Sequence, residues 1–191
     1  MSYSIMPYKI RLSALNDVLA THDEALATWA QTRCQTELAE LDDYFEPSRP
    51  AAEYLADLML GRPYVQSDAH LYGYSLKALC NLWGAPMANE GWWGMRYAWF
   101  EDVTQAAAQS GAAYDFTDLI TGGPGVNIPA GDDFPSMGHI VHDHLQSHLN
   151  RLNATDPSRL TDAQAATAVN QVRSWLQECQ RDDMDLVCFY H

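Results

Sequence analysis

The sequence predicts an α+β fold: a predominantly helical single domain, residues 1–191, with a small sheet that pairs its N- and C-terminal strands. Three observations lead there. Near the N-terminus, Tyr3, Ile5, Tyr8, Ile10 and Leu12 keep an apolar period close to two, and the last residues, 186–191, are again apolar and β-prone. Between these ends apolar residues recur at helical spacing, broken by Gly and Pro. A chain of 191 residues that is 47% hydrophobic and 11% aromatic can bury one core.

The first strand is expected over residues 2–12, with an irregularity at Pro7 because proline cannot donate to a ladder. Ser13 can cap a short helix over 14–20. Thr21 and Glu24 stand at capping-box spacing and open a long helix, 22–44, whose stripe is Leu26, Trp29, Ala30, Cys34, Leu38 and Leu41. Pro47 and Pro50 end it. Pro50 suits the first turn of the next helix, which Gly61 and Pro63 stop near Leu60.

A loop over 64–69 precedes a helix over 70–83, ended by Gly84 and Pro86. The aromatic stretch 91–100 leads into a helix that closes at Gly111. Residues 115–120 are ambiguous, and 121–133 form a Gly/Pro loop. Residues 135–152 read as loop and then helix. Thr161 and Gln164 make a second capping box for a helix to about residue 180, followed by the closing strand. A two-stranded sheet is marginal alone, so one or two further short strands are expected near 126–128 or 136–140.

Charge narrows the function classes. There are 25 Asp+Glu against 11 Lys+Arg, a net charge of −14. Such a surface repels nucleic acid and anionic membrane and favours a cationic partner. Half the surplus lies in residues 21–60, with nine acids and two bases. The plain reading is a solvated helix face that keeps the protein soluble; the sharper one is an acidic docking face around Asp42, Asp43 and Glu46.

The thiols Cys34, Cys80, Cys179 and Cys188 form no CxxC pair or zinc-finger spacing, and are expected as small buried hydrophobes in a reducing compartment. The opening MSYSIMPYKIRL lacks a basic region followed by an apolar run, as a signal peptide needs, and no apolar run approaches the ~18 residues that span a bilayer. The expected location is cytoplasmic.

Four constellations could carry chemistry. His139, His142, His144 and His148 lie within ten residues. On a helix, His144 and His148 are i,i+4 neighbours and could hold zinc, but no third ligand can be assigned, and His148 shares an apolar stripe with Val141, Leu145 and Leu152. Half-buried structural histidines are the simpler reading, and no resident cofactor is expected. The loop Gly122-Gly123-Pro124-Gly125 lacks the Lys-Ser/Thr of a phosphate-binding loop, and Ile128 replaces the last Gly of a dinucleotide motif. Trp92, Trp93, Arg96, Tyr97, Trp99 and Phe100 are residues of both cores and interface hot spots; Arg96 needs an acid, either Glu90, Glu101 or one from outside. Asp132 and Asp133 could bind Mg²⁺ or Ca²⁺, though a turn before Pro135 explains them as well. No Ser or Cys stands in a recognisable nucleophile frame.

Three stretches, Met1-Ser2-Tyr3-Ser4-Ile5-Met6-Pro7-Tyr8, Tyr72-Gly73-Tyr74-Ser75-Leu76 and Ile128-Pro129-Ala130-Gly131-Asp132-Asp133-Phe134-Pro135, resemble a family of uncharacterised bacterial proteins of this length. The end of the chain, residues 175–190, resembles that of YfbM-like α+β domains. Neither resemblance implies catalytic residues. The leading expectation is therefore an acidic, cytosolic protein-binding domain, an immunity or antitoxin-type protein that neutralises a cationic toxin by occlusion. Its contact residues would be Asp42, Asp43, Glu46, Trp92 and Arg96. The alternative is an enzyme or small-ligand or metal binder using residues 139–148, with His144 and His148 as metal ligands, and the loop 122–125. A structural subunit of a homo-oligomer is a third class.

Overall fold

In the computed structural model, residues 3–129, 131, 135–156 and 159–191 are described. The fold is α+β, with strands β1 (Ile5–Ile10), β2 (Ala85–Pro86), β3 (Ser136–Ile140) and β4 (Asp185–Tyr190). Its helices are α1 (Leu12–Val18), α2 (Glu24–Arg33), α3 (Gln35–Phe45), α4 (Ala51–Leu60), α5 (Ala69–Trp83), α6 (Ala98–Gln109), α7 (His142–Asn153) and α8 (Ala163–Asp182). The chain divides into two compact units, one of residues 11–85 and 126–135, the other of 1–10, 86–125 and 136–191.

The sheet order is β2-β1-β4-β3. The terminal strands pair antiparallel, Ile5 opposite Tyr190 and Ile10 opposite Asp185, as their patterning predicts. β3 pairs antiparallel with the other side of β4, so the strand expected at 136–140 forms. β4 is buried at every position from Leu186 to Tyr190, as an inner strand covered on both faces must be. Pro7 lacks an N–H, yet its carbonyl accepts from Met87 N at 2.9 Å, so the irregular position still joins β1 to a neighbour. α8 packs against α6, α7, β1 and β4. Trp92, Phe100, Phe116, Trp175, Phe189 and Tyr190 fill this unit's interior, all 0–1% exposed.

The other unit is built around α4, in which Ala51 and every residue from Tyr54 to Leu60 are buried. α2, α3 and α5 pack against it. Gly61 ends α4 in the left-handed region at φ 64°, as its stop signal predicts.

Local differences from the sequence reading have physical causes. The long helix over 22–44 is two helices, divided at Cys34, whose ψ of 10° leaves the helical region. That residue is 2% exposed and its Sγ donates to Ala78 O, so packing overrides a continuous stripe. Asp23 rather than Thr21 caps α2, accepting from Leu26 N at 2.9 Å; Thr21 Oγ1 accepts from Asp23 N instead. Asp162 likewise caps α8 in place of Thr161. α1 begins at Leu12, with Arg11 at its cap position and no side-chain cap, so Ser13 does not play that part. The segment 126–128 forms no strand.

Among the described residues no helix is long and apolar enough to cross a membrane. All four cysteines are free and buried. Burial pushes the Cys34 thiol up to about 11 and Cys179 up to about 12, so both stay protonated near neutrality.

Candidate interaction surface

The acidic stretch resolves into two kinds of residue. Asp42 is half-buried, and its Oδ1 accepts from Ala51 N at 2.6 Å, satisfying one of the orphan donors at the start of α4. It is a structural cap from the neighbouring helix. Asp43 and Glu46 are exposed, and among the described residues neither forms an ion pair. Tyr44 stands between them at 75% exposure. Its ring meets Phe45 edge-on at 4.7 Å, and Phe45 in turn packs on His70 and Tyr74 of α5. The exposed aromatic is thus braced from beneath.

Farther back on α3, Glu37 accepts from Asn81 Nδ2. Lys77 of α5 lies half-buried near Glu40 and Glu37; burial lowers its pKa, and the two carboxylates oppose that shift. The unopposed negative charge therefore concentrates at the C-terminal end of α3.

The aromatic stretch also divides. Trp92 is 0% exposed, and its Nε1 donates to Ala168 O at 3.0 Å. Its ring packs on Phe100 and Phe116. Trp92 is a core residue, which corrects its assignment to a partner contact. Its neighbours Trp93 and Tyr97 point outward, 65% and 51% exposed, and Arg96 is exposed between them. Neither expected acid takes Arg96: Glu90 accepts from Gln171 Nε2, and among the described residues no carboxylate pairs with the guanidinium. Backbone bonds hold the segment in place. Tyr3 and Met95 exchange two, at 3.0 and 2.8 Å, and Gly94 N donates to Ser4 Oγ. Gly94 takes φ 70°, which a side chain would oppose.

The four clustered histidines have separate roles. His139 Nδ1 bonds to Gly123 O at 2.9 Å. His142 donates its backbone N–H to Asp185 Oδ1, which caps α7, while its ring approaches Asp143 and Asp183. His144 is exposed. His148 is half-buried, with Tyr114 OH 3.1 Å from Nδ1 and Arg151 Nη2 3.0 Å from the same atom. Burial, then Arg151 and His144, lower its pKa to about 4, so the ring is neutral near neutral pH. Among the described residues no group of three or more His, Cys, Asp or Glu is placed to hold a metal ion. His144 and His148 thus gain no third ligand there.

The glycine loop guards a sheet edge. Gly123 N donates to Met137 O, and Gly122 bridges Gly138, so the loop occupies the free side of β3. Asp132 and Asp133 lie outside the described residues.

Sequence reasoning missed a buried polar network in the α4 unit. Asp57 is 2% exposed; its Oδ2 accepts from Arg49 Nη2 and Tyr72 OH, both at 3.0 Å. Tyr54 OH donates to Asp68 Oδ2 at 2.6 Å. The available signal was an acid on the apolar stretch Leu55-Ala56-Asp57-Leu58-Met59, where a carboxylate must find partners.

A family model described as "Domain of unknown function (DUF7691)" matches residues 1–191. The chain belongs to this family. No curated protein and no solved structure matches it.

Proposed function

We propose that this DUF7691 chain is a protein-binding domain that docks a basic partner on the C-terminal end of α3. The observation that carries the reading is Tyr44, 75% exposed between Asp43 and Glu46, exposed carboxylates that form no ion pair among the described residues. A braced aromatic supplies contact area at low entropic cost, and flanking charges steer encounter. The concrete form is an immunity or antitoxin-type protein in a bacterial cytoplasm, neutralising a cationic toxin by covering its basic cleft. The exposed set Trp93, Arg96 and Tyr97 offers a second contact area, in place of Trp92.

The test is affinity capture from host lysate at low and moderate salt, with wild type and Asp43→Lys/Glu46→Lys compared side by side. The reading expects one basic protein at stoichiometry, weakened by salt and lost about tenfold or more in the charge-reversed variant. Retention of the same partner by that variant would move the docking face elsewhere. Capture of nothing basic would remove the toxin-neutraliser form.

A further inference from the structure

We infer that Arg151, with His148 and Tyr114, forms a binding site for a small oxyanion, a carboxylate or a phosphate, distinct from the acidic face of α3. A guanidinium has five N–H donors, a permanent charge and no acceptor. Arg151 is half-buried on α7. Its Cζ lies 5.1 Å from the centre of the Tyr114 ring, and Tyr114 is 3% exposed. Its Nη2 stands 3.0 and 3.1 Å from the two ring nitrogens of His148. A neutral imidazole has one lone pair, so it satisfies at most one of the five donors, whichever tautomer it adopts.

The Nε–H is buried and, among the described residues, has no hydrogen-bond partner. Among the described residues no carboxylate pairs with Arg151, in a chain with 25 acids. Asp115 and Asp118 act on Tyr114 through their charge, but the Asp115 carboxylate is engaged by Thr117 N and Oγ1. A partly desolvated cation without a counter-charge is costly unless an anion completes it.

The chemistry of the ligand follows from the donor set. Because the Nε–H is sealed from solvent, a ligand meets the Nη end of the guanidinium, whose N–H groups match two oxygens of a carboxylate or phosphate. The cation–π contact fixes the plane of that fork, and Tyr114 OH fixes the imidazole beside it. The fork is therefore set before the ligand arrives, which lowers the ordering cost of binding.

The experiment is NMR of the arginine Nε–H and histidine ring signals of the full chain, titrated with inorganic phosphate and separately with acetate. The expected result is saturable movement of the Arg151 Nε–H and His148 ring signals on one curve, with a Kd of about 1 mM. A response to phosphate alone assigns a phosphorylated ligand, and a response to acetate alone a carboxylate. Arg151→Lys keeps the charge but loses the fork and should bind about tenfold more weakly. Arg151→Gln should abolish the His148 response. Signals that stay still in both titrations, or shift without saturating, overturn the site. So does an unchanged His148 response in Arg151→Gln. The wild-type titration decides the matter even if a variant fails to fold.

Discussion

At the scale of single residues, the buried polar groups carry the sharpest consequences. Asp57 holds Arg49 and Tyr72 inside the α4 unit, and Arg62 Nη1 approaches its other oxygen at 3.9 Å. Removing one member of a buried pair leaves the others uncompensated. Asp57→Ala should therefore lower stability by about 3 kcal/mol, read as a shift of the urea midpoint. Glu53→Ala removes a carboxylate that is 50% exposed and bonds the same Arg49, and should cost no more than about 0.5 kcal/mol. Equal losses would mean that Asp57 is not the anchor.

His148 makes the stability of the fold depend on pH. It is held neutral in the fold by burial first, then by Arg151 and His144, with a pKa of about 4. In the unfolded chain it protonates near the ordinary value of about 6.5, so between these values the unfolded state binds the extra proton. The stability His148 contributes is present above about pH 6.5 and is lost as pH falls towards 4. Solvent around the half-exposed ring screens the effect, leaving on the order of 1–2 kcal/mol. Urea midpoints at neutral and mildly acid pH should differ less in His148→Gln than in wild type by that amount. An identical acid loss in the two proteins would show that His148 is not the group responsible.

Between elements, Asp42 and Asp43 are adjacent in sequence and do different things. Asp42 reaches across to the first turn of α4, so Asp42→Ala should cost about 1 kcal/mol without touching the exposed face. Asp43→Ala should stay within about 0.5 kcal/mol of wild type while weakening a basic partner. Thermal unfolding of the two variants tests the division, which fails if Asp43→Ala is the more destabilised. The sequence showed an acidic run but not this split, because a cap supplied by a residue nine positions away depends on how the chain turns at residues 46–50. Local signals were legible where residue type settles the backbone: Gly61 ends α4, and the period-two N-terminus and the apolar, β-prone C-terminus pair as β1 and β4. They failed where packing decided between neighbours, as at Cys34, which divides a continuous apolar stripe, and at Trp92, whose burial separates it from the exposed Trp93. The Arg151 cluster was invisible for a related reason. Tyr114 lies 34 residues from His148, and only the fold brings them together.

On the scale of the whole molecule, charge was the most legible property and its location the least. The sequence states −14, and the fold shows how little of it is neutralised in place. Among the described residues the ion pairs of Lys and Arg centre on Lys9, Arg49, Arg62 and Arg181, which leaves most carboxylates facing solvent or polar neighbours. Two opposite salt effects then compete. Salt weakens the exposed pairs, but it also screens the self-repulsion of a strongly acidic chain, over a Debye length of about 10 Å at 0.1 M. With few pairs and many unopposed acids, screening should win. The melting temperature should rise as ionic strength goes from about 0.01 to about 0.15 M, by the equivalent of about 0.5–1 kcal/mol. Asp43→Lys/Glu46→Lys replaces two negative charges with two positive ones, taking the net charge from −14 to −10. That variant should gain less from salt than wild type does. A melting temperature that falls with salt would mean that the ion pairs around Lys9 and Arg49 outweigh the repulsion. A salt gain unchanged by the double substitution would place the dominant repulsion away from the end of α3.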